Sequence, residues 1–234
     1  MPEITPHTDF INGAVLLIDK PVDWSSFDMV KKVRNMISKK IGVKKLKVGH
    51  AGTLDPLATG LMIICTGKAT KEIEKYQGLE KEYIATLHLG KSSPSCDLET
   101  DVDQSFPTEH ISMDLITRVL EDFKGEYLQV PPVFSAKHVG GRRAYDFARK
   151  GEELAMRPQL VNISELEILD FQIPELTLRI KCSKGTYIRA LARDIGKALD
   201  SGAYLALLRR TKIGQFSVDE ALILKKFEEI LINL

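Results

Sequence analysis

The stretch Gly49-His50-Ala51-Gly52-Thr53-Leu54-Asp55-Pro56-Leu57-Ala58-Thr59-Gly60 decides how the rest of the chain is interpreted. It contains three glycines, one proline and a single acidic residue, Asp55. Glycine and proline suit tight turns, and a residue that precedes proline is disfavoured in helical geometry. We therefore predict a tightly turned loop that presents the carboxylate of Asp55. Turn initiation by the Asp55-Pro56 pair alone is an equally simple interpretation.

Basic residues surround this loop, although the net charge of the 234-residue chain is only +1. Residues 29–54 contain eight lysine or arginine residues and no acid, and residues 179–212 contain nine against two acids. Nine acidic residues lie instead within residues 97–126. If the two basic runs share a surface, that surface attracts phosphates. The plain alternative is that each run is a solvated face.

Composition predicts a soluble, cytoplasmic, globular protein. The chain is 44% hydrophobic, which supplies a core, yet no segment approaches the ~20 apolar residues of a membrane span. Residues 1–12 lack the apolar centre of a signal peptide. The three cysteines are far apart and have no neighbouring histidine at metal-ligand spacing, so we expect reduced thiols and no metal site.

Hydrophobic periodicity predicts strands that alternate with helices in one mixed α/β domain, 1–234, with an inserted arm around 131–151. The predicted strands are 14–18, 61–66, 83–89, 161–171, 176–182 and 204–214. Helices are predicted from Ser25 or Ser26, at 69–76, from Ser112, at 144–150, from the cap Thr186, and at 221–232 after the capping box Ser217-x-x-Glu220. Residues 91–104 are predicted to be loop.

Four motifs in order carry a resemblance to a known family: Lys20-Pro21, the Gly49–Gly60 stretch, Lys81-Glu82-Tyr83 and Cys182-Ser183-Lys184-Gly185-Thr186-Tyr187-Ile188-Arg189. Over about residues 13–217 the chain resembles the TruB family of tRNA pseudouridine synthases. The resemblance implies a pseudouridine synthase fold, which is a mixed, largely antiparallel sheet flanked by helices. It also implies isomerisation of the T-loop uridine, position 55 of tRNA, to pseudouridine by base flipping.

The resemblance implies that Asp55 is the catalytic aspartate, that Arg189 is the cation paired with it, and that Tyr83 stacks on the flipped uracil. Breaking an N-glycosidic bond and rejoining the base through carbon needs an ionised carboxylate, which a close guanidinium stabilises and orients. Stacking on an aromatic ring contributes ~1–3 kcal/mol per base. Without the resemblance, Arg189 is a surface charge off the apolar stripe of its helix, and Tyr83 is an ordinary strand aromatic.

Further substrate contacts are implied for His50 against displaced loop bases, for Tyr187 in the pocket, and for Leu208 as an apolar wall. Core packing is nearly as good an interpretation of Leu208. Lys20 and the lysines of residues 31–47 are expected to contact phosphate, which fixes orientation without reading sequence. The implied partner is the tRNA T stem-loop, bound by a monomer with no metal, organic cofactor, membrane or protein partner.

Two departures from the family pattern affect the expected RNA contacts. Many relatives continue into a C-terminal PUA domain that grips the acceptor stem, whereas this sequence stops at Leu234. We therefore expect most of the binding free energy to come from the T-arm. In the arm, His138 occupies the usual lysine position and Lys137 precedes it, which predicts a shifted or pH-dependent phosphate contact.

Two other classes of function are compatible with parts of the pattern. A non-catalytic RNA-binding module would use the basic runs and their interleaved aromatics, Tyr83, Tyr145 and Tyr187. Such a module has no use for Asp55, because an acid there repels phosphate. A carboxylate glycosidase needs a second acid beside Asp55. The nearest acids in sequence, Asp28 and Glu72, lie on predicted helices.

Overall fold

A computed structural model describes residues 4–135, 138–139, 141–148 and 154–233. The chain forms two compact units, Met1–Tyr83 with Arg209–Leu234, and Ile84–Leu208. The expected single domain with an inserted arm stays a prediction. Residues 136–137, 140 and 149–153 lie outside the described residues, and with them the expectation for Lys137; the side chain of His138 is likewise not described.

The described strands are β1 Val15–Lys20, β2 Val48–His50, β3 Thr59–Thr66, β4 Lys81–Leu89, β5 Lys91–Ser92, β6 Gln104–Ser105, β7 Gly125–Gln129, β8 His138–Val139, β9 Arg142–Arg143, β10 Gln159–Gln172, β11 Glu175–Cys182, β12 Ala203–Ile213, β13 Phe216–Ser217 and β14 Leu222–Ile223. The helices are α1 Ser26–Ile41, α2 Ile73–Gly78, α3 Met113–Glu121, α4 Ala144–Ala148, α5 Ile188–Ala198 and α6 Leu224–Asn233. Two 3₁₀ turns, Gly67–Glu72 and Val218–Glu220, complete the set in the described ranges. Strands β4 and β12 each have residues in both units.

The first unit is built on β3, which is buried from Gly60 to Thr66. Strand β1 pairs with it antiparallel and brings Leu17 opposite Ile63, while β12 pairs with it in parallel. Strand β14 pairs in parallel with the far edge of β1, and β2 pairs with β3. Such a run of apolar residues is typical of a strand covered on both faces.

Helix α1 begins and ends where local signals predict. The Ser25 hydroxyl accepts the amide hydrogen of Asp28, which satisfies one of the free N–H groups of the first turn. Gly42 follows the last turn with a left-handed φ of +68°, and its N–H donates to the Ser38 carbonyl. The helix buries Val33 and Ile37 and lies against α6. Ser26, in its first turn, contacts Leu54, so the N-terminus of α1 lies beside the Gly49–Gly60 loop.

In the second unit the strand order is β4-β11-β10-β7. Strands β10 and β11 form a long antiparallel hairpin in which Leu166 lies opposite Ile180. Alternate residues of β11 are buried, as the period of two predicts. Helix α5 buries an apolar face formed by Leu191, Ala192 and Ile195. Together the two units confirm the predicted mixed α/β class with a largely antiparallel sheet.

Several predicted boundaries are wrong, some of them because a distant strand intervenes. The predicted loop 91–104 contains the paired strands β5 and β6, and helix 69–76 divides into a 3₁₀ turn and α2. Thr186 does not cap α5: its hydroxyl donates to the Ser183 carbonyl at 3.0 Å, and Tyr187 is the cap residue. The capping box at Ser217 is present, but it closes a 3₁₀ turn, because residues 222–223 pair with β1 before α6 begins.

The arm contains a hairpin where the chain is described. Strands β8 and β9 pair antiparallel, and α4 follows directly. Of the helices within the described residues, none is both long enough and apolar enough to cross a bilayer.

Candidate active site

The Gly49–Gly60 loop connects β2 to β3 in the first unit and has a tight turn at its acid. The Ala58 amide donates to the Asp55 carbonyl at 3.1 Å, which closes the turn over Pro56. Leu54 is buried, while Asp55 itself is partly exposed. The Asp55-Pro56 pair therefore does start a turn, and that turn leaves the Asp55 side chain partly exposed.

The residue before Asp55 is fixed by helix α1. The buried hydroxyl of Ser26 accepts the Leu54 amide hydrogen and donates to the Leu54 carbonyl, each at 2.8 Å. Both polar groups of Leu54 are thus satisfied by one side chain, as buried backbone requires. The start of α1 therefore sets the backbone that leads into Asp55.

Lys20 lies beneath the same loop and is fully buried. Its ammonium donates to the carbonyls of Pro21 at 2.9 Å, Trp24 at 2.7 Å and Pro56 at 3.1 Å, which uses all three donors. Burial lowers the pKa of Lys20 from 10.5 to about 8, while the Asp55 carboxylate opposes this shift. The expected phosphate contact is therefore corrected: the buried ammonium supports the carbonyl that follows Asp55 and offers no exposed charge to RNA.

Arg210 supports the loop from strand β12 and is 1% exposed. Its Nη2 donates to the Gly52 carbonyl at 3.1 Å, Nη1 donates to the Thr53 carbonyl at 3.4 Å, and Nε donates to the Leu61 carbonyl at 2.8 Å. The backbone of Arg210 lies against Gly60, whose φ is +107°. A Cβ added there would lie 2.3 Å from the Arg210 carbonyl oxygen. Only glycine fits at this position.

His50 and Tyr83 are the other predicted site residues of the first unit. The His50 Nδ1 is buried and has no hydrogen-bond partner among the described residues. Burial lowers the pKa of His50, and the charge of Arg210 lowers it further. Burial therefore favours the neutral form of the imidazole. Tyr83 is 8% exposed in β4, next to Glu82, whose carboxylate accepts the Thr211 hydroxyl at 2.8 Å.

The second unit holds Arg189, which is 4% exposed and is not the surface charge that its helix pattern suggested. Its Nε lies 3.5 Å from the buried carboxylate of Asp97. Its Nη1 donates to the Ser95 carbonyl at 3.2 Å, and Nη2 donates to the Phe134 carbonyl at 2.9 Å. These contacts hold the guanidinium plane in one orientation. The pairing of Arg189 with Asp55 stays a prediction.

Tyr187 is positioned by a buried amide side chain. The Tyr187 N–H donates to Gln129 Oε1 at 2.8 Å, and Gln129 Nε2 donates to the Tyr187 carbonyl at 3.1 Å. Gln129 also contacts the Tyr127 hydroxyl. This clamp fixes the backbone where α5 begins. Leu208 is half-buried in β12.

The predicted site residues thus divide between the units: Lys20, His50, Asp55 and Tyr83 lie in the first, and Tyr187, Arg189 and Leu208 in the second. Sequence reasoning missed four supporting side chains, Ser26, Asp97, Gln129 and Arg210. Ser26 was considered only as a candidate helix cap, and the residues around the other three gave no signal of a supporting role. Asp97 was counted among the surface acids of residues 97–126, and Arg210 among the basic residues of 179–212.

The two basic runs differ in how their charges are used. Most cations of the second run are ion-paired: Arg179 with Glu167, Lys181 with Glu165, Arg193 with Asp194, Arg209 with Asp19 and Lys212 with Glu82. In the first run, Lys44 and Lys45 are exposed and form no ion pair within the part of the chain that the structure describes. The first run therefore has more charge available for phosphate than the second, in which Lys184 and Lys197 are exposed.

The chain is similar to known proteins over most of its length. A family model described as "TruB family pseudouridylate synthase (N terminal domain)" matches residues 38–188, and one described as "tRNA pseudouridylate synthase B C-terminal domain" matches residues 189–233. The protein named tRNA pseudouridine synthase B of Phocaeicola vulgatus is 56% identical over 223 residues, which cover 95% of each chain. Its namesake in Flavobacterium johnsoniae is 52% identical over 229 residues, covering 97% of this chain and all of that one.

Solved structures show the same similarity in three dimensions. A chain in the crystal structure of a Cbf5-Nop10-Gar1 complex superposes with a TM-score of 0.70 at 28% identity, over 94% of this chain and 54% of that one. A chain in an H/ACA RNP bound to a substrate RNA containing 2′-deoxyuridine gives a TM-score of 0.67 at 27% identity, with the same two coverages. The present chain thus spans about half the length of these structural relatives.

Proposed function

Since this chain belongs to the TruB family of pseudouridylate synthases, we propose that it isomerises the T-loop uridine of tRNA, position 55, to pseudouridine. The enzyme is an isomerase with the predicted pseudouridine synthase fold. The bond between N1 of uracil and C1′ of ribose breaks, the base turns, and a bond between C5 and C1′ forms. The C5 proton is lost and N1 gains one, so the composition of the RNA is unchanged.

The observation that carries this proposal is the single acid on a fully supported loop. The backbone on both sides of Asp55 is held by buried side chains, while its carboxylate is partly exposed. A carboxylate in that setting acts as nucleophile or base at the ribose or the uracil ring without first having to be ordered. Because the target base is stacked in the T-loop, the reaction requires that the nucleotide be flipped out.

The other site residues receive roles within this reaction. Arg189, whose Nε lies 3.5 Å from Asp97, pairs with Asp55 and orients that carboxylate. Tyr83 stacks on the flipped uracil, His50 packs against displaced bases, and Tyr187 and Leu208 line the pocket. We propose that no metal or organic cofactor takes part, because the carboxylate and the uridine together contain every group that the rearrangement needs.

The proposed partner is the T stem-loop of tRNA, in the cytoplasm, with the exposed lysines of residues 31–47 on its phosphates. We propose that one copy of the chain acts alone, without a protein partner. Light scattering behind size exclusion, with and without a T stem-loop, checks this stoichiometry. A dimer in both samples contradicts it.

The decisive experiment follows tritium release from a T stem-loop that carries 5-tritiated uridine. Wild-type protein is expected to release tritium, and Asp55→Asn is expected to release none while still binding the RNA, because the amide keeps the size of the side chain but cannot attack. Asp101→Asn removes an exposed acid and serves as the matched control, with release at the wild-type rate.

Three outcomes count against the proposal. Normal release by Asp55→Asn removes the carboxylate from the mechanism. RNA binding without release by the wild type supports a non-catalytic binding module. Free uracil in the supernatant, with an abasic site in the RNA, indicates glycosidase chemistry instead of isomerisation.

A further inference from the structure

Arg210 is a buried cation without an acidic partner. It is among the largest fully buried side chains, and no ion pair of its guanidinium occurs among the described residues. Within the described residues, its three hydrogen-bond partners are backbone carbonyls. Burial of a charge that no opposite charge compensates is costly, and an apolar side chain of similar volume often stabilises a protein more. Fold stability alone therefore gives a weak reason for an arginine at this position.

The contacts of Arg210 are concentrated on the Asp55 loop. Its side chain holds the carbonyls of Gly52 and Thr53, which lie before Asp55, and the carbonyl of Leu61, which lies after it. Its backbone lies so close to Gly60 that no Cβ fits between them. One residue thus fixes both stems of the loop, on either side of the acid.

The charge of Arg210 also acts on other residues of the site. It lowers the pKa of Lys20 and that of His50. Its guanidinium therefore lies close enough to Lys20 and to His50 to act on their charges.

We propose that Arg210 is a positioning residue that sets the geometry of the Asp55 loop for the chemical step, an inference that rests on the proposed function. It does not touch the RNA, because it is enclosed by the loop and by β3. Displacement of a catalytic group by about 1 Å costs on the order of 100-fold in rate. The loss of Arg210 is thus expected to lower kcat, with little change in RNA affinity.

The test compares Arg210→Met and Arg210→Lys with wild type in tritium release, RNA binding and thermal unfolding. For Arg210→Met we expect kcat to fall about 100-fold, with Kd for the T stem-loop within about threefold, since the exposed lysines remain. Arg210→Lys retains the charge but lacks the planar fork of donors, so it should recover only part of kcat. Arg179→Met, which removes an ion-paired strand arginine, is the matched control and should keep kcat within about twofold.

Wild-type kcat in a folded Arg210→Met or Arg210→Lys overturns the proposal, as does a loss confined to Kd. If Arg210→Met fails to fold, Arg210→Lys still tests the proposal, because its loss of kcat is compared with its change in Kd in the same way. Amide hydrogen exchange at Leu54 and Ala58 gives a second measurement: faster exchange in Arg210→Lys is expected, and unchanged exchange contradicts the proposal. An inactive wild type would reject the proposed function alone, since hydrogen exchange would still report on the loop.

Discussion

At the scale of single residues, the site depends on charges that are enclosed by main-chain carbonyls. Lys20, Arg189 and Arg210 each donate to two or three carbonyl oxygens and are almost completely buried. The carbonyl oxygens replace the water that would otherwise solvate each cation, and each cation replaces the water that would otherwise solvate those carbonyls. The free energy of the folded state therefore includes a cost for each charge, and that cost can be measured where it titrates.

Lys20 makes this cost visible as a dependence of stability on pH. Its folded pKa of about 8 lies below the 10.5 of the unfolded chain. Between these two pH values the unfolded state binds more protons than the folded state, so the free energy of unfolding rises with pH. Below pH 8 both states are protonated and the penalty is constant.

We expect wild type to gain stability relative to Lys20→Met as the pH is raised from 8 to 10.5. Urea unfolding at intervals across this window measures the difference. Lys44→Met, which removes an exposed lysine, should show the same pH dependence as wild type. A difference between wild type and Lys20→Met that stays constant with pH would contradict the buried position of the ammonium.

At the scale of elements, sequence signals predicted the helix ends that are set by contacts within the same helix. The cap at Ser25 and the stop at Gly42 were predictable, because both act within one turn of α1. The starts of α5 and α6 were not, because Gln129 fixes the peptide of Tyr187 from 58 residues away and β1 draws residues 222–223 into the sheet. Likewise, the tight turn at Asp55 could be inferred from its glycines and proline, whereas the carbonyl partners of Arg210 carry no signature, since every residue has a carbonyl.

The connection between the loop and β3 is testable at Gly60. In Gly60→Ala the methyl group meets the Arg210 carbonyl, and φ of +107° is strained for any side chain. Gly42→Ala has a comparable left-handed φ but open space around it. We expect a loss of about 1 kcal/mol for Gly42→Ala and of roughly 3 kcal/mol for Gly60→Ala.

Denaturant midpoints of the two variants and wild type give these values. Tritium release measured where both variants are fully folded should be reduced for Gly60→Ala alone, since Gly42 follows the last turn of α1 and the loop contacts the first turn, at Ser26. Equal losses of stability in the two variants would show that the close approach of β12 to β3 is not as described.

At the scale of the whole molecule, charge is distributed so that one basic run is available and the other is largely neutralised. Sequence alone counted both runs as candidate phosphate contacts, because it does not reveal which lysines pair with which acids. The fold class was predictable from periodicity and ordered motifs, but the pairing of Lys181 with Glu165 depends on the register of the β10–β11 hairpin.

Salt dependence separates the two runs. Replacement of Lys44 and Lys45 together by serine should weaken binding of the T stem-loop and lower the slope of log K against log salt by about 2, because each exposed lysine releases counterions from a phosphate. The matched pair Arg179→Ser and Lys181→Ser removes the same charge from ion-paired positions and should leave the slope unchanged. A larger change of slope in the Arg179→Ser and Lys181→Ser pair would show that the second basic run, and not the first, contacts the phosphates.

The parallel contact between β12 and β3 also has a consequence for biosynthesis. Arg210 follows Leu61, whose carbonyl it binds, by 149 positions. At the usual rate of about 5–20 residues per second, the ribosome makes the Asp55 loop roughly 7–30 s before it makes Arg210. A nascent chain therefore carries this loop with its supports from Lys20 and Ser26 but without that of Arg210 through most of its translation. We expect catalytic competence only after β12 has emerged and paired with β3.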